Sequence, residues 1–381
     1  MSTAGLRPRA GHPPTGHPGE SRDPPGQPSM DPGVRRDDAA VGHGQQTATA
    51  IPKAQFDWIP LALLAAIALA GLPLMGSPST WLTLTIAGLA MGMIIFIIAS
   101  GLTLVFGLMD VLNFGHGVFI ALGAFVATSV LGGMADWTAS ASVWNNLGAV
   151  FVAMLAAMAV AGAIGYAFER VIVRPVYGQH LKQILITMGG MIVGEEVIKV
   201  IWGPAQIALP LPQTLRGAFV IEMFGDSAAV EKYRLLAVVI GFVVLALMLY
   251  VLNRTKVGLL VRAGVQDREM VESLGYRIKR LFIGVFVVGS ALAGLGGVLW
   301  GLYQQSVVPQ MGAQVTVLIF IVIIIGGLGS TLGCFVGALL VGLLANYTGF
   351  LAPKVALFSN IALMVAILLW RPRGLYPVTN R

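Results

Sequence analysis

Residues 82–106 read LTLTIAGLAMGMIIFIIASGLTLVF, twenty-five residues in a row without one charged side chain. A helix needs about 20 apolar residues to cross the hydrocarbon core of a bilayer. This stretch therefore reads as a transmembrane helix, and the rest of the fold follows outward from it. Apolar runs of similar size lie at 58–76, 117–134, 146–168, 183–202, 235–252, 281–303, 314–327, 333–350 and 355–370. The run at 314–327 is short. It is either a half-helix or it merges with its successor across Gly326-Gly327-Leu328-Gly329. The expected fold is all-α, a polytopic transmembrane helix bundle of eight to ten spans.

Composition agrees. Of the 381 residues 56% are hydrophobic and only 11% charged, with a mean hydropathy of +0.83, against roughly 25% charged in a soluble domain. A water-soluble fold of this size could not hide so much apolar surface, so lipid is the expected solvent. Residues 1–57 differ sharply. They hold nine of the twenty prolines, three of the five histidines, and six basic and six acidic residues. That composition cannot build a core and reads as a disordered cytoplasmic tail; it lacks the apolar region of a secretory signal. The domain boundaries expected are thus a tail at 1–57 and a transmembrane domain at 58–378.

The body carries the whole net charge of +7. A pI near 9.7 could suggest nucleic acid, but in a membrane protein basic cytoplasmic loops are the commoner cause, and no nucleic-acid partner is expected. Segment 253–280 holds Arg254, Lys256, Arg262, Arg268, Arg277, Lys279 and Arg280 and is placed in the cytoplasm. With ten spans, the loop bearing Arg170, Arg174 and Lys182 falls on the same side, as does the end with Arg371, Arg373 and Arg381. Lys199, Arg216, Lys232, Arg234 and Lys354 remain outside. The segment at 205–232 is the one sizeable external connection, either a docking surface or a connector.

Several stretches depart from plain apolar sequence. From Arg262 to Leu274 the pattern reads as one short amphipathic helix, with Ala263, Met270, Val271 and Leu274 on one face and Gly275 placed to stop it. Such a helix is marginal alone in water, so it rests either on its own bundle and the lipid surface or inside a partner protein. Gly107-Leu108-Met109-Asp110-Val111-Leu112-Asn113-Phe114-Gly115-His116-Gly117 interrupts an apolar region. Asn113 could cap the following helix, and His116 could bond a freed carbonyl. A tight connector near the cytoplasmic face is weighed against a substrate contact. Glu195, Glu196 and Lys199 near the end of a span read as an interfacial ion-pair group. Small residues, among them Gly289, Gly294, Gly297 and Gly301, then Gly333, Gly337 and Gly342, mark either close helix packing or a water-lined path.

Other chemistry is not signalled. The single cysteine, Cys334, sits in an apolar run, and no Cys/His metal spacing occurs. No Gly-Lys-Ser/Thr nucleotide loop, Gly-x-Ser-x-Gly elbow or His-Glu-x-x-His helix is found. No cofactor or metal is expected, and ATP, if used, must be bound by another chain. A secondary transporter or channel would call for charges deep in mid-membrane. A membrane enzyme would call for convergent polar side chains.

Read together, Gly101-Leu102-Thr103-Leu104-Val105-Phe106-Gly107 with Leu112-Asn113-Phe114-Gly115-His116-Gly117, Glu169-Arg170 with Arg174-Pro175, Arg262-Ala263 with Asp267 and Gly275, and Gly326-Gly327-Leu328-Gly329-Ser330 with Arg371-Pro372-Arg373-Gly374-Leu375 resemble the permease subunits of branched-chain amino acid ABC importers. The likeness covers about residues 82–378. It departs at Gly115, where the family often has Ala, at Met270-Val271, where small residues are usual, and in the extra tail; the 58–76 span is not present in every member. The resemblance implies an ABC importer permease fold in the bacterial inner membrane. It implies two cytoplasmic ATP-binding subunits, a second homologous permease and a periplasmic solute-binding protein as partners, besides membrane lipid. It makes 253–280 an ATPase-coupling segment carried by Arg262, Ala263, Asp267, Glu269 and Gly275, and Asn113, His116, Gly117, Gly326, Gly327 and Gly329 signature or pathway positions. Branched-chain amino acids are the implied cargo, with urea or short amides as the alternative.

Overall fold

Each of the ten apolar runs becomes a helix, because a chain in lipid must satisfy its backbone groups within the segment itself. The computed structural model describes residues 57–223 and 226–377; nearly all of the stretch read as a tail, 1–56, lies outside them. In order, the helices are α1 (Ile59–Leu74), α2 (Pro78–Met109), α3 (His116–Gly133), the single turn α4 (Ala135–Thr138), α5 (Val143–Phe168), α6 (His180–Trp202), α7 (Lys232–Arg254), α8 (Lys256–Gln266), α9 (Arg268–Ser273), α10 (Ile278–Gln304), α11 (Met311–Gly326), α12 (Thr331–Leu351) and α13 (Ala356–Trp370). The segments α2, α3, Val143–Val176, α7, α10 and α12 are each long and apolar enough to cross a membrane. α1, α11 and Phe358–Trp370 are apolar but shorter.

α2 is the axis of the bundle. Pro78 stands in its first turn, and the Ser77 hydroxyl accepts the Thr80 amide at 3.2 Å, the usual way of satisfying an orphan donor at a helix start. Its 32 residues make a rod about 48 Å long. Ile94, Ile95, Phe96, Ile97, Ile98 and Ala99 are all fully buried, a complete turn and more with no outward face, because α7, α10, α11 and α12 surround it. The outer helices show the reverse. Phe151 and Leu155 on α5, Val239 and Phe242 on α7, and Phe358 and Leu369 on α13 point outward, as lipid-facing side chains do.

The glycines resolve in favour of packing. A Cβ added to Gly101 on α2 would stand 2.3 Å from the Gly289 carbonyl oxygen on α10, and one on Gly123 of α3 would stand 2.2 Å from that of Gly294. These backbones touch. Without a hydrophobic drive between helices in lipid, close approach is the source of the dispersion gain.

Contacts sort the chain's ends into two groups. At one end, the close of α2 meets the start of α6 through Asp110 and His180 (3.8 Å) and meets the 253–280 segment through Met109. The segment after α11 meets the residues following α13 at the same end. This end gathers the basic loops that the charge count groups together; we call it the basic end. At the far end lie the connections of 205–232, which contain strands not read from the sequence. β1 (Ile207–Ala208) pairs antiparallel with β4 (Ser306–Val307). β2 (Ala218–Met223) and β3 (Asp226–Glu231) form a hairpin with Phe219 opposite Val230. The Ser79 hydroxyl of α2 donates to the Asp226 carboxylate, tying the hairpin to the bundle.

One element departs from expectation. The stretch expected as a single helix from Arg262 to Leu274 is two helices broken at Asp267, whose backbone is extended (φ −150°, ψ 100°). The Asp267 amide still closes α8 by donating to Ala263 (2.9 Å), while its carboxylate accepts the Met270 amide (2.8 Å) and opens α9. A short acidic side chain satisfies a new helix start better than it sits inside a helix. The break re-aims the apolar face: Val271 is buried with Ile278 and Phe282, whereas Met270 and Leu274 are exposed.

Candidate functional site

The signature residues sit deeper than a connector should. α6 serves as a ruler: it begins at the basic end with His180 and runs 23 residues, about 34 Å. Thr187, seven residues in, accepts the Phe114 amide at 3.2 Å. Gly194, fourteen residues in, abuts Val118, whose methyl carbon would lie 2.6 Å from an added Cβ. At 1.5 Å per residue these marks stand about 10 and 21 Å from the start of α6. α2 gives the same answer. The His116 ring nitrogen Nε2 lies 3.1 Å from the Ile98 carbonyl, eleven residues before the end of α2 and therefore about 16 Å back along it. Residues 110–115 thus climb back into the bundle, and α3 begins near mid-depth. The reading of this stretch as a connector at the basic face is corrected by these contacts.

Irregular backbone at such depth is tolerated only where protein or water satisfies it. Phe114 packs against Phe320 of α11 with tilted rings, centroids 4.7 Å apart, His116 bonds a carbonyl as expected, and Gly117 lets α3 touch α11 at Gly312, whose oxygen would lie 2.8 Å from an added Cβ. Asn113 does not cap α3. Gly115 occupies the N-cap position without a side-chain bond. The Asn113 side chain is 1% exposed, and neither its oxygen nor its nitrogen has a hydrogen-bond partner in the protein.

The C-terminal signature is a clasp. Gly327 (φ 98°) and Gly329 (φ 81°) adopt the left-handed region that favours glycine, and the chain turns so sharply from α11 into α12 that a Cβ on Gly326 would stand 2.3 Å from the Gly333 carbonyl carbon. The carbonyls left open at the end of α11 are taken from a distance. The Leu375 amide donates to Ile325 (2.9 Å) and the Tyr376 amide to Gly326 (3.0 Å). Arg371 then donates to the Asp57 carboxylate, and the Tyr376 hydroxyl to the Asp57 carbonyl at 2.7 Å. The Arg371 guanidinium, followed by the Ile59 amide, holds the Asp57 carboxyl below the usual carboxylate range. Gly329 also meets Gly107 of α2, 3.0 Å from an added Cβ. The structure therefore joins the two signature stretches, which lie far apart in sequence.

At the 253–280 segment, Arg262 donates to the Leu252 carbonyl at the end of α7, so its fixed role is to pin α8 under α7. Ala263 is half-buried against the Val271, Ile278 and Phe282 cluster, which also takes in Met109. Asp267 is the cap described above, Glu269 is exposed in the first turn of α9, and Gly275 (φ 85°) stops that helix. The segment is thus locked to α2 at Met109, directly before the residues that climb to Asn113. Exposed Leu259, Met270, Leu274 and Tyr276 leave it an apolar outer surface. Among the described residues no group of three or more His, Cys, Asp or Glu could hold a metal.

Two polar features were not legible from sequence. Glu169, 1% exposed, accepts the Tyr177 hydroxyl on one oxygen and has no protein partner on the other; it opens a π-helical turn, Glu169–Val173, that no local pattern announces. Glu195 pairs with Lys199 at 3.0 Å, as its spacing suggests, but it also lines a small pocket with Gly117, Val118 and Ala121 of α3 and Gly312 of α11.

Residues 84–369 match the family model described as branched-chain amino acid transport system, permease component. The chain is 30% identical over 304 residues to the high-affinity branched-chain amino acid transport system permease protein BraD of Pseudomonas aeruginosa, covering 76% of this chain and 93% of that one. It is 27% identical over 291 residues to the corresponding LivH of Salmonella typhimurium, covering 76% and 92%. It is 26% identical over 307 residues to LivM of Escherichia coli K12, covering 76% and 69%. No solved structure matches the chain.

Proposed function

The chain belongs to the branched-chain amino acid transport permease family, and on that premise we propose that it is one of two membrane-spanning subunits of a binding-protein-dependent ABC importer. The importer sits in the bacterial inner membrane with the basic end facing the cytoplasm. Branched-chain amino acids or similar small polar solutes are its cargo. Two cytoplasmic ATPases engage the α8–α9 segment, a second homologous permease completes the path, and a periplasmic binding protein delivers the solute.

The observation that carries this reading is the outer surface of the 253–280 segment. Four large apolar side chains, Leu259, Met270, Leu274 and Tyr276, stand exposed on a cytoplasmic element whose inner face is already fixed to α2 and α10. Exposed apolar side chains of this size on a segment outside the apolar helices support a partner surface there. Movement of that partner would be transmitted through Met109 to the re-entrant residues.

The test is purification of the tagged chain in mild detergent, with the proteins that accompany it identified by mass spectrometry. Two ATPases and a second permease are expected, and in reconstituted vesicles ATP hydrolysis should drive uptake of leucine, isoleucine or valine. A homo-oligomer without an ATPase under crosslinking would overturn the reading.

A further inference from the structure

Helix α6 does not match a surrounding of lipid. It packs mainly against α3 and residues 169–176 and buries only Gln183, Thr187 and Ile198 of its 23 residues, so it stands at the edge of the bundle. Among the described residues it is the one helix of 18 or more residues that is not apolar enough to cross a membrane. The reason is charge. Lys182 and Glu195 bracket just twelve uncharged residues, 183–194, about 18 Å of helix against a hydrocarbon core of about 30 Å. The outer helix α7, by contrast, runs uncharged for nineteen residues, Leu235 to Asn253, about 28 Å. At the far end of the short stretch, Glu195 and Glu196 share Lys199 at 3.0 and 2.8 Å. Two carboxylates on one ammonium leave one negative charge over. Glu195 turns inward to the pocket with α3 and α11, whereas Glu196 is exposed. A charge within the hydrocarbon core is costly unless it faces protein or water. The outward face also has the form of a contact. Lys182, Leu185, Gly189, Ile192 and Glu196 are all exposed and follow one another at alternating spacings of three and four residues, the seam of two helices packed side by side. Gly189, at its middle, has nothing within 4 Å of an added Cβ. Glycine inside a helix lowers its stability, and in membrane helices small residues mark places where another helix comes close.

We propose that this face of α6 is the surface on which the second, homologous permease subunit of the importer packs. The proposal rests on the permease reading above and deepens it. Two homologous subunits in one orientation meet most simply about an axis along the membrane normal, each using the same patch, so α6 lies parallel to its counterpart at equal depth. The partner shields residues 195–199 from hydrocarbon and supplies the positive charge or amide donors that the excess negative charge calls for. Lipid tails offer neither. Gly189 sets the closest approach of the two chains. α5 and α13 carry no charged residue from end to end and are left to lipid.

The test uses the complete importer in native membranes, with the photo-crosslinking amino acid p-benzoylphenylalanine placed at Leu185 or Ile192 and, as controls, at the exposed Val239 of α7 or Leu369 of α13. Irradiation is expected to join the second permease to the chain from Leu185 and Ile192, with the adduct identified by mass spectrometry, and not from Val239 or Leu369. In parallel, Gly189→Leu adds a side chain for which its own subunit has room, and Leu is the better helix former. The variant should insert at the wild-type level, while the second permease recovered with it in mild detergent falls by about tenfold or more, as overpacking of a close seam requires. A face covered by lipid predicts no loss. Absence of a permease adduct from both α6 positions, adducts only between copies of this chain, or full recovery of the second permease with Gly189→Leu would each overturn the proposal. A second permease that accompanies the wild type but crosslinks elsewhere refutes the α6 seam alone, whereas a wild type accompanied by no second permease refutes the permease reading itself.

Discussion

At the scale of single residues, the capping role of Asp267 can be separated from its charge. Its carboxylate opens α9, and loss of such a cap costs about 1 kcal/mol. Asp267→Ala is expected to reduce ATP-driven transport without preventing insertion, while Asp267→Asn, which keeps the cap, should retain most of it. Equal loss in both would show that the charge itself contacts the ATPase. Asp57 gives a pH signature. Its folded-state pKa is depressed by Arg371 and by the Ile59 amide, so the stability it adds is complete above the ordinary carboxylate value and is lost as pH falls through the lower folded value. The thermal stability of the wild type over Asp57→Asn should therefore shrink between about pH 5 and pH 3; a constant gap would refute the contribution. Residue types near helix ends were readable because caps and glycine stops act locally, as at Gly275. Asn113 was misread as a cap because its Gly115 neighbour takes that place, and no local pattern reports the burial that leaves its amide unpartnered.

At the scale of elements, the ten apolar helices were legible because apolar length is a property of the segment itself, and observed ends lie within a few residues of the expected ones; among the described residues, six are long and apolar enough to cross a membrane, against eight to ten expected spans. Two elements were not. The single helix expected over Arg262–Leu274 has a continuous amphipathic pattern, yet pinning of Arg262 to α7 and burial of Val271 beside Ile278 demand two directions. The depth of residues 110–115 is set by α6 and α11, and sequence spacing cannot supply it. The helix contacts also predict which glycines matter. Gly123→Val would drive side-chain carbon into the Gly294 backbone, and overpacking of this kind costs about 1–3 kcal/mol. A lowered unfolding temperature in detergent is expected, while Gly349→Ala, with no neighbour within 4 Å of its Cβ, should leave that temperature unchanged. Equal effects would argue against backbone contact between α3 and α10.

At the scale of the whole molecule, the basic end gathers the end of α2, the α8–α9 segment, the α11–α12 turn and the residues following α13. The Arg371–Asp57 and Tyr376–Asp57 bonds join residues 314 and 319 positions apart. That separation has a consequence for synthesis. A ribosome adds roughly 5–20 residues per second, so about 16 s to a minute pass between emergence of Asp57 and emergence of Arg371. During that interval α1 resides in the bilayer without its clasp, held by hydropathy and neighbouring spans alone. Residues made late thus fasten a helix made early, and until Arg371 and Tyr376 emerge the Asp57 end of α1 stays unlatched.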